Sequence, residues 1–189
     1  DEPMLKADMI TETIKPIYLK KKALGSVLAM DIIHKEQFYN KNIVLGSLIL
    51  TTDDTSYSHT TIIIGTVTIN DGVDSTALFT GFTVKETTTG IICESDVRLR
   101  YLIIRDNTYY GIRFTSSEAT LRNSKVFGNI TNTMSAGAGI RIESSSNINL
   151  VNVVIDSNHQ LNVQGGGIFI QNSTVTMDSC YVTQNIAYS

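Results

Sequence analysis

Tryptophan is absent from this chain of 189 residues, and cysteine and proline occur only twice each. Charged residues make up 17% of the sequence, which is below the usual share of about a quarter. Threonine, serine, asparagine, isoleucine and valine are abundant, a composition typical of strands and turns. Cys93 and Cys180 fall several repeat units apart in the pattern described below, too far for a disulfide, so we expect two free thiols.

An excess of basic charge is also missing. The net charge is −3 and the isoelectric point is about 5.6, without the basic footprint that nucleic acid or an acidic membrane surface selects. We therefore expect no nucleic-acid partner, and we interpret the one basic cluster, at 20–22, as solvated surface. No apolar run reaches the roughly 18 residues of a membrane-spanning helix, so we predict no membrane span.

The sequence does contain a repeat, which is clearest in its second half. A Gly-Ile pair opens each unit, and a second apolar stretch then closes on an asparagine. The openings are at Gly90, Gly111, Gly139 and Gly167, and the closing corners are Asn107, Asn129, Asn158 and Asn185.

Aligning the units produces columns in which alternate positions stay apolar, as in a strand and not in a helix. One column reads Leu99, Leu121, Leu150 and Met177, and we expect it to form one continuous inward stack. A single unit cannot bury its apolar face, so the units must stack about 4.8 Å apart as a parallel β-helix. We predict an all-β, right-handed solenoid of roughly six or seven coils, about 30 Å long. Asparagine turns the chain and bonds to the asparagine of the next coil, which predicts a ladder.

The domain boundary is placed near residue 40. Residues 1–40 are more charged and carry apolar residues at helical spacing, which favours a short amphipathic helix capping the solenoid. The alternative is a ragged first coil or a disordered leader. Residues 41–189 are assigned to the β-helix repeats. The apolar residues at helical spacing are Met4, Leu5, Met9, Ile10 and Ile14.

Three segments carry a resemblance to a known family. The run KNIVLGSLILTTDDTSYSHTTIIIG, the run STALFTGFTV and the glycine-rich opening at 165–168 resemble the repeat region of large secreted bacterial surface proteins. Those proteins belong to the right-handed parallel β-helix, pectate-lyase-like superfamily. The resemblance covers roughly residues 40–189 and implies a secreted or cell-surface location.

The resemblance also implies a possible kind of active site. Enzymes of the pectate-lyase-like superfamily place acidic residues, or a calcium-binding carboxylate group, beside an arginine or lysine on one exposed sheet. Arg113 and Arg141 lie in an outward column and flank Glu143, in line with Glu94. A sugar site is one interpretation of these residues. We favour the other, a cross-strand ladder of ion pairs.

No catalytic or metal-binding constellation emerges elsewhere. Asp53, Asp54, Asp71 and Asp74 lack the regular spacing of a calcium loop, and we interpret them as turn residues. The histidines show no zinc spacing. We name no catalytic residue and no metal site, and we expect no cofactor, since calcium has no support.

Loop length gives the clearer functional signal. Two neighbouring coils carry long connections, at 130–138 and 159–166, on the same edge of the stack. Insertions in a solenoid collect on one face, often the binding face. His159 and Gln164, in the second connection, therefore join the candidate ligand-binding residues. The alternative is tolerated elongation of the surface.

Two functions are compatible with these observations. The leading hypothesis is a non-catalytic extracellular scaffold, adhesion or glycan-binding module whose partner is a polysaccharide or cell-surface glycan. The alternative is a polysaccharide lyase or glycoside hydrolase acting on an acidic polysaccharide.

The two ends of the sequence carry a separate expectation. The chain starts at Asp1 without an initiator methionine or signal peptide, as a processed or excised piece does. The last repeat unit is as regular as the others, with no cap after it. We therefore expect further coils, another domain or a second chain to cover the apolar core at that end.

Overall fold

The computed structural model describes residues 28–30, 44–70 and 72–188. Strands dominate, and two four-residue helices occur early, α1 (Ile49–Thr52) and α2 (Tyr57–Thr60). The strands are β1 Leu28–Met30, β2 Val44–Gly46, β3 Thr61–Ile64, β4 Val67–Ile69, β5 Leu78–Thr80, β6 Thr83–Lys85, β7 Thr89–Cys93, β8 Val97–Arg100, β9 Ile103–Arg105, β10 Tyr110–Thr115, β11 Glu118–Phe127, β12 Ile130–Thr131, β13 Ile140–Glu143, β14 Asn147–Asp156, β15 His159–Gln160, β16 Ile168–Ile170, β17 Thr174–Asp178, β18 Tyr181–Thr183 and β19 Ile186–Ala187.

The strands form three parallel sheets that run along one stack. The four strands of the Gly-Ile openings, β7, β10, β13 and β16, make the opening sheet together with β4, which precedes them. The second sheet has two limbs: β2, β5, β8, β11, β14 and β17 make the first limb, and β1, β3, β6, β9, β11, β14 and β18 make the second. The short strands β12, β15 and β19 make the third sheet. Among the described residues from 44 onwards each limb thus contains six strands, in agreement with the predicted six or seven coils, and β1 adds a seventh strand to the second limb.

The long strands β11 and β14 belong to both limbs because each bends in its middle. The residues at the bend adopt left-handed backbone conformations, with φ of 50° at Asn123 and 53° at Asn152. Asparagine tolerates this conformation better than most residues. The Nδ2 of Asn152 donates to the Oδ1 of Asn123 at 3.0 Å, so the two bends are joined.

The strand register confirms the predicted columns. Leu99, Leu121, Leu150 and Met177 are direct neighbours on successive strands, as expected. Phe79 continues this column upstream through its pairing with Leu99. In the middle of the stack these side chains are fully buried. The other columns are Ile91, Ile112, Ile140 and Ile168; Cys93, Phe114, Ile142 and Ile170; Val97, Ala119, Ile148 and Val175; and Ile104, Val126, Ile155 and Val182.

The four corner asparagines form a hydrogen-bonded ladder. The Nδ2 of Asn107 donates to the Oδ1 of Asn129 at 2.8 Å, that of Asn129 to Asn158 at 2.8 Å, and that of Asn158 to Asn185 at 2.9 Å. The same oxygens accept the backbone N–H of the preceding asparagine at 3.0–3.1 Å. Three of the four are almost completely buried, and buried amides of this kind need such partners.

The glycine that opens each unit and the asparagine that closes it are parts of one contact. A Cβ at Gly139 would lie 2.9 Å from the Nδ2 of Asn158 and 2.4 Å from the carbonyl oxygen of Gly167. Any side chain there would therefore displace the ladder or the next strand. The glycine that opens each unit is therefore needed because the closing asparagine and the next strand leave no room for a side chain.

Some predictions fall beyond what the structure describes or differ from it. The proposed helical cap, the lysines at 20–22 and Asp71 lie outside the described residues. Leu28–Met30, inside the predicted leader, pairs in parallel with Thr61–Ile63. Residues 49–52 fall in the region assigned to the β-helix repeats, but Ile49–Thr52 is helical. Within the described ranges, no helix is long and apolar enough to cross a membrane.

Candidate functional site

The two long connections lie side by side on neighbouring coils. Their first residues are strand and not loop, since Ile130–Thr131 and His159–Gln160 form β12 and β15. The rest of each connection is loop, and the parallel pairing continues into it, since the N–H of Leu161 donates to the carbonyl of Thr131 at 2.9 Å. The loops are therefore ordered as an extension of the stack. We name residues 132–138 the first loop and residues 161–166 the second loop.

Side-chain amides tie the two loops together. The Nδ2 of Asn162 donates to the Oδ1 of Asn132 at 2.7 Å. Gln160 is fully buried, and its Nε2 donates to the carbonyls of Thr133, at 3.3 Å, and of Ser135. Its Oε1 accepts the N–H of Asn162 at 2.9 Å. Gln160 thus holds the first loop through its Nε2 and the second loop through its Oε1. The sequence alone did not predict this role.

A cleft of about 480 Å³ opens between these loops and the outer face of the opening sheet. The first and second loops form its walls, and Arg141 on β13 and Phe169 on β16 are its sheet residues. A close approach of loop and sheet depends on Gly165, whose φ is 78° and whose Cβ, if present, would lie 2.9 Å from the Cβ of Phe169. The lining residues are Met134, Ser135, Ala136, Arg141, Asn162, Val163, Gln164 and Phe169.

Arg141 is held rigidly at the base of the cleft. Its Nε and Nη2 donate to the Oε2 of Glu143 at 2.9 and 2.7 Å, and its Nη1 donates to the carbonyl of Ala136 at 2.8 Å. The guanidinium carbon lies 5.0 Å from the ring centre of Phe169 and 5.7 Å from that of Tyr110, which are cation–π distances. The geometry leaves part of the guanidinium edge free to donate further hydrogen bonds.

Glu143 joins two arginines into a triad. Arg113 donates to its Oε1 through Nε at 2.7 Å and through Nη2 at 2.6 Å. Burial acts to raise the pKa of Glu143, but the hydrogen bonds from Arg141 and Arg113 outweigh burial and hold that pKa below its usual value. The carboxylate is therefore ionised at neutral pH. The triad carries one net positive charge beside the cleft.

Two tyrosines support the first loop from the side of β10. The hydroxyl of Tyr109 bonds to the Oγ of Ser135 at 2.8 Å, and the rings of Tyr109 and Tyr110 lie 4.0 Å apart. That hydrogen bond lowers the pKa of Tyr109, whereas burial raises the pKa of Tyr110. Tyr109 positions Ser135, and the ring of Tyr110 covers Arg141.

The candidate residues from the sequence divide into three groups. Arg141 and Gln164 line the cleft, and Arg113 and Glu143 adjoin it through the triad. Glu94 is two coils away from Glu143, with Thr115 between them. His159 is a residue of β15 and does not line the cleft. Sequence reasoning missed Phe169 as a site residue, although an aromatic residue at an outward strand position is a usable signal.

Metal-binding groups are not evident in the described part of the chain, where no cluster of three or more potential ligands occurs. Two of the aspartates considered for calcium, Asp54 and Asp74, have turn-forming contacts. The Oδ1 of Asp54 accepts the N–H of Ser56 at 2.9 Å, and this bond lowers the pKa of Asp54. The Oδ1 of Asp74 accepts the N–H of Thr76 at 2.7 Å.

Comparison with known proteins bears on the fold. A family model described as a right handed beta helix region matches residues 91–189, which include the cleft and the asparagine ladder. Neither curated proteins nor solved structures give a significant match to the chain.

Proposed function

Because this chain belongs to the right-handed β-helix family, we propose that it is a non-catalytic scaffold of a larger extracellular protein that binds a glycan in the cleft between the first and second loops. The family supports the predicted fold and leaves the ligand open. The secreted or cell-surface location rests on the resemblance of the repeats. Surface labelling of cells that make the full-length protein tests this location, and retention inside the cells would contradict it.

The lining of the cleft is the observation that carries the proposal. Ligand sites in proteins combine an apolar wall with a few well-placed polar groups. Phe169 offers an apolar face for the C–H side of a sugar ring, while the amides of Asn162 and Gln164 both donate and accept hydrogen bonds. Because Arg141 is already fixed by Glu143 and Ala136, a ligand would lose little free energy in ordering it.

The alternative, a lyase or hydrolase of acidic polysaccharides, has less support at this cleft. Glycoside hydrolysis commonly uses two carboxyl groups on either side of the scissile bond. Glu143 is the carboxylate that adjoins the cleft among the described residues, and both of its oxygens accept hydrogen bonds from arginine. An ionised carboxylate whose two oxygens are both occupied by arginine donors is a weak acid–base catalyst.

A glycan array followed by calorimetry on the glycans that bind tests the proposal. We expect Phe169→Ala and Gln164→Ala each to weaken binding about tenfold, the loss expected for one good contact. Phe127→Ala is the matched control, because Phe127 lies on an outward position of the second limb, away from the cleft. Equal affinity of wild type and Phe169→Ala would contradict the proposal. Release of unsaturated or reducing sugars from polyuronates would instead support the enzymatic alternative.

The partner proposed for the end of the stack is separate from the glycan. Ile170, Met177 and Val182 continue the inward columns but are about half exposed in the last coil. We infer that a further coil, another domain or a second chain covers them, since open strand edges with apolar side chains pair readily. Light scattering of the 189-residue chain should show concentration-dependent association, and a strictly monomeric chain would contradict this inference.

A further inference from the structure

The outward face of the first limb carries two arginines in direct register. Arg100 ends β8, and Arg122 is its neighbour on β11. Adjacent strands lie about 4.8 Å apart, so the two positive side chains leave the sheet at nearly the same place. Like charges directly opposite each other destabilise a sheet.

No carboxylate in the described ranges forms an ion pair with this arginine pair. The ion pairs there join Lys85 to Glu86, Arg105 to Asp106, and two arginines to Glu143. In the column itself, Thr80 precedes Arg100 and Val151 follows Arg122.

The acidic residues at the start of these two strands stand well apart from the pair. Asp96 and Glu118 each lie four residues before an arginine, about 13 Å along an extended strand. The Oδ1 of Asp96 accepts the backbone N–H of Glu118 at 2.9 Å. Asp178, in the same column as Arg122, is two coils farther on.

Two further cations lie on the same two strands. Arg98 lies two residues before Arg100 on the same face and is anchored by its Nη2, which donates to the carbonyl of Thr76 at 2.6 Å. Lys125 follows Arg122 across the bend of β11 and is exposed. The Nε of Arg100 is buried and has no hydrogen-bond acceptor, which is a costly state for a charged donor.

We propose that Arg100 and Arg122 form a binding site for a tetrahedral oxyanion, the chemistry of inorganic sulfate and of sulfate esters. A guanidinium binds such groups through two parallel N–H donors. A bound oxyanion would replace the repulsion between neighbouring coils by two attractive contacts, and Arg98 and Lys125 would raise its local concentration. This site lies on the second sheet, whereas the glycan cleft lies on the opening sheet, so the two proposals are independent.

Thermal unfolding in sodium sulfate and in sodium chloride at equal ionic strength tests the site. Sulfate stabilises proteins in general because it is excluded from their surfaces, so the informative quantity is the difference between variants. We expect a larger sulfate-dependent rise of the melting temperature in wild type than in R122Q or R100Q. In chloride, R122Q should melt above wild type, because the repulsion between coils is removed. The control is R105Q, since Arg105 is paired with Asp106 outside the site, and it should respond to sulfate as wild type does.

Direct binding distinguishes the source of the oxyanion. Calorimetry with inorganic sulfate should give an affinity about tenfold weaker for R122Q than for wild type, the loss expected for one charge-assisted hydrogen bond. Dextran sulfate, compared with uncharged dextran, reports whether the site accepts esters on a polymer; binding of inorganic sulfate alone would assign it to the free ion. Identical sulfate responses and affinities in wild type, R100Q and R122Q would overturn the proposal.

Discussion

Leu150 and Met177 occupy the same column on successive strands, but Leu150 is fully buried and Met177 is 45% exposed. The difference extends to whole coils. We name β13, β14 and β15 the middle coil and β16 to β19 the final coil; the inward positions of the middle coil are buried, and those of the final coil are partly exposed. In a solenoid, burial is therefore supplied by the neighbours on both sides and not by the coil itself.

The largest expected contrast concerns the two thiols. Cys93 lies on β7, two coils before the middle coil, and is completely buried, which raises its pKa to about 12; Cys180 in the final coil is partly exposed. A thiol reagent should modify Cys180 in the native protein and Cys93 only after unfolding, whose free energy is about 5–15 kcal/mol in typical domains. Mass spectrometry of timed labelling checks this prediction. Labelling of both cysteines at similar rates would show that the interior opens as readily as the end.

Truncation of the matched core residues should give the next largest contrast. We expect Leu150→Ala to lower the free energy of unfolding by about 2–5 kcal/mol, as cavities in packed cores do. Met177→Ala, at a half-exposed site, should lower the free energy of unfolding by about 1 kcal/mol or less, because the Met177 side chain buries less apolar surface than that of Leu150. Urea unfolding monitored by circular dichroism measures both. Equal losses in the two variants would mean that a partner covers the final coil in solution.

The asparagine ladder offers a smaller contrast between the same coils. Asn129 is fully buried between two neighbours, whereas Asn185 has a neighbour on one side only. Asn129→Ala should cost about 1–3 kcal/mol, since it leaves buried donors of Asn107 without an acceptor. Asn185→Ala should cost less, because water reaches the final coil. The same urea experiment reports both values, and a greater loss in Asn185→Ala would refute the burial argument.

The features that recur in every coil could be predicted from the sequence, whereas those that occur in only one or two coils could not. The columns and the corner asparagines follow from four aligned units, because each position has the same neighbours in every coil. The two-residue strands β12 and β15 are too short to show an alternating pattern, so they were interpreted as loop. The helix at Ile49–Thr52 has no equivalent in later coils to reveal it.

The candidate site was only partly accessible to sequence reasoning. Arg113, Arg141 and Glu143 were placed together because they share neighbouring outward columns, and the structure joins them by hydrogen bonds. Gln160 and Phe169 were missed as site residues, since their roles depend on how the two loops fold over the sheet. Loop conformation is set by contacts between coils that no single unit displays.

The smallest expected effect concerns the acid stability of the triad. The next position in the Glu143 column is Gln171 in the final coil, so Glu143→Gln gives the middle coil the residue type of the final coil. The pKa of Glu143 is lowered in the folded protein by its two arginines, against the opposing effect of burial. A lowered folded pKa contributes stability that is present above the usual value of 4.5 and is lost as the pH falls through the folded value.

Wild type should therefore unfold at a higher temperature than Glu143→Gln near neutral pH, and the difference should shrink steadily below about pH 4.5. Melting curves recorded from neutral to acidic pH measure this convergence. Glu118→Gln is the control, because Glu118 is an exposed glutamate at the start of β11 and lies outside the triad. If the difference between wild type and Glu143→Gln did not change with pH, the ionised carboxylate would not be the source of the stability. The middle coil would then gain nothing from the charge that distinguishes it from the final coil.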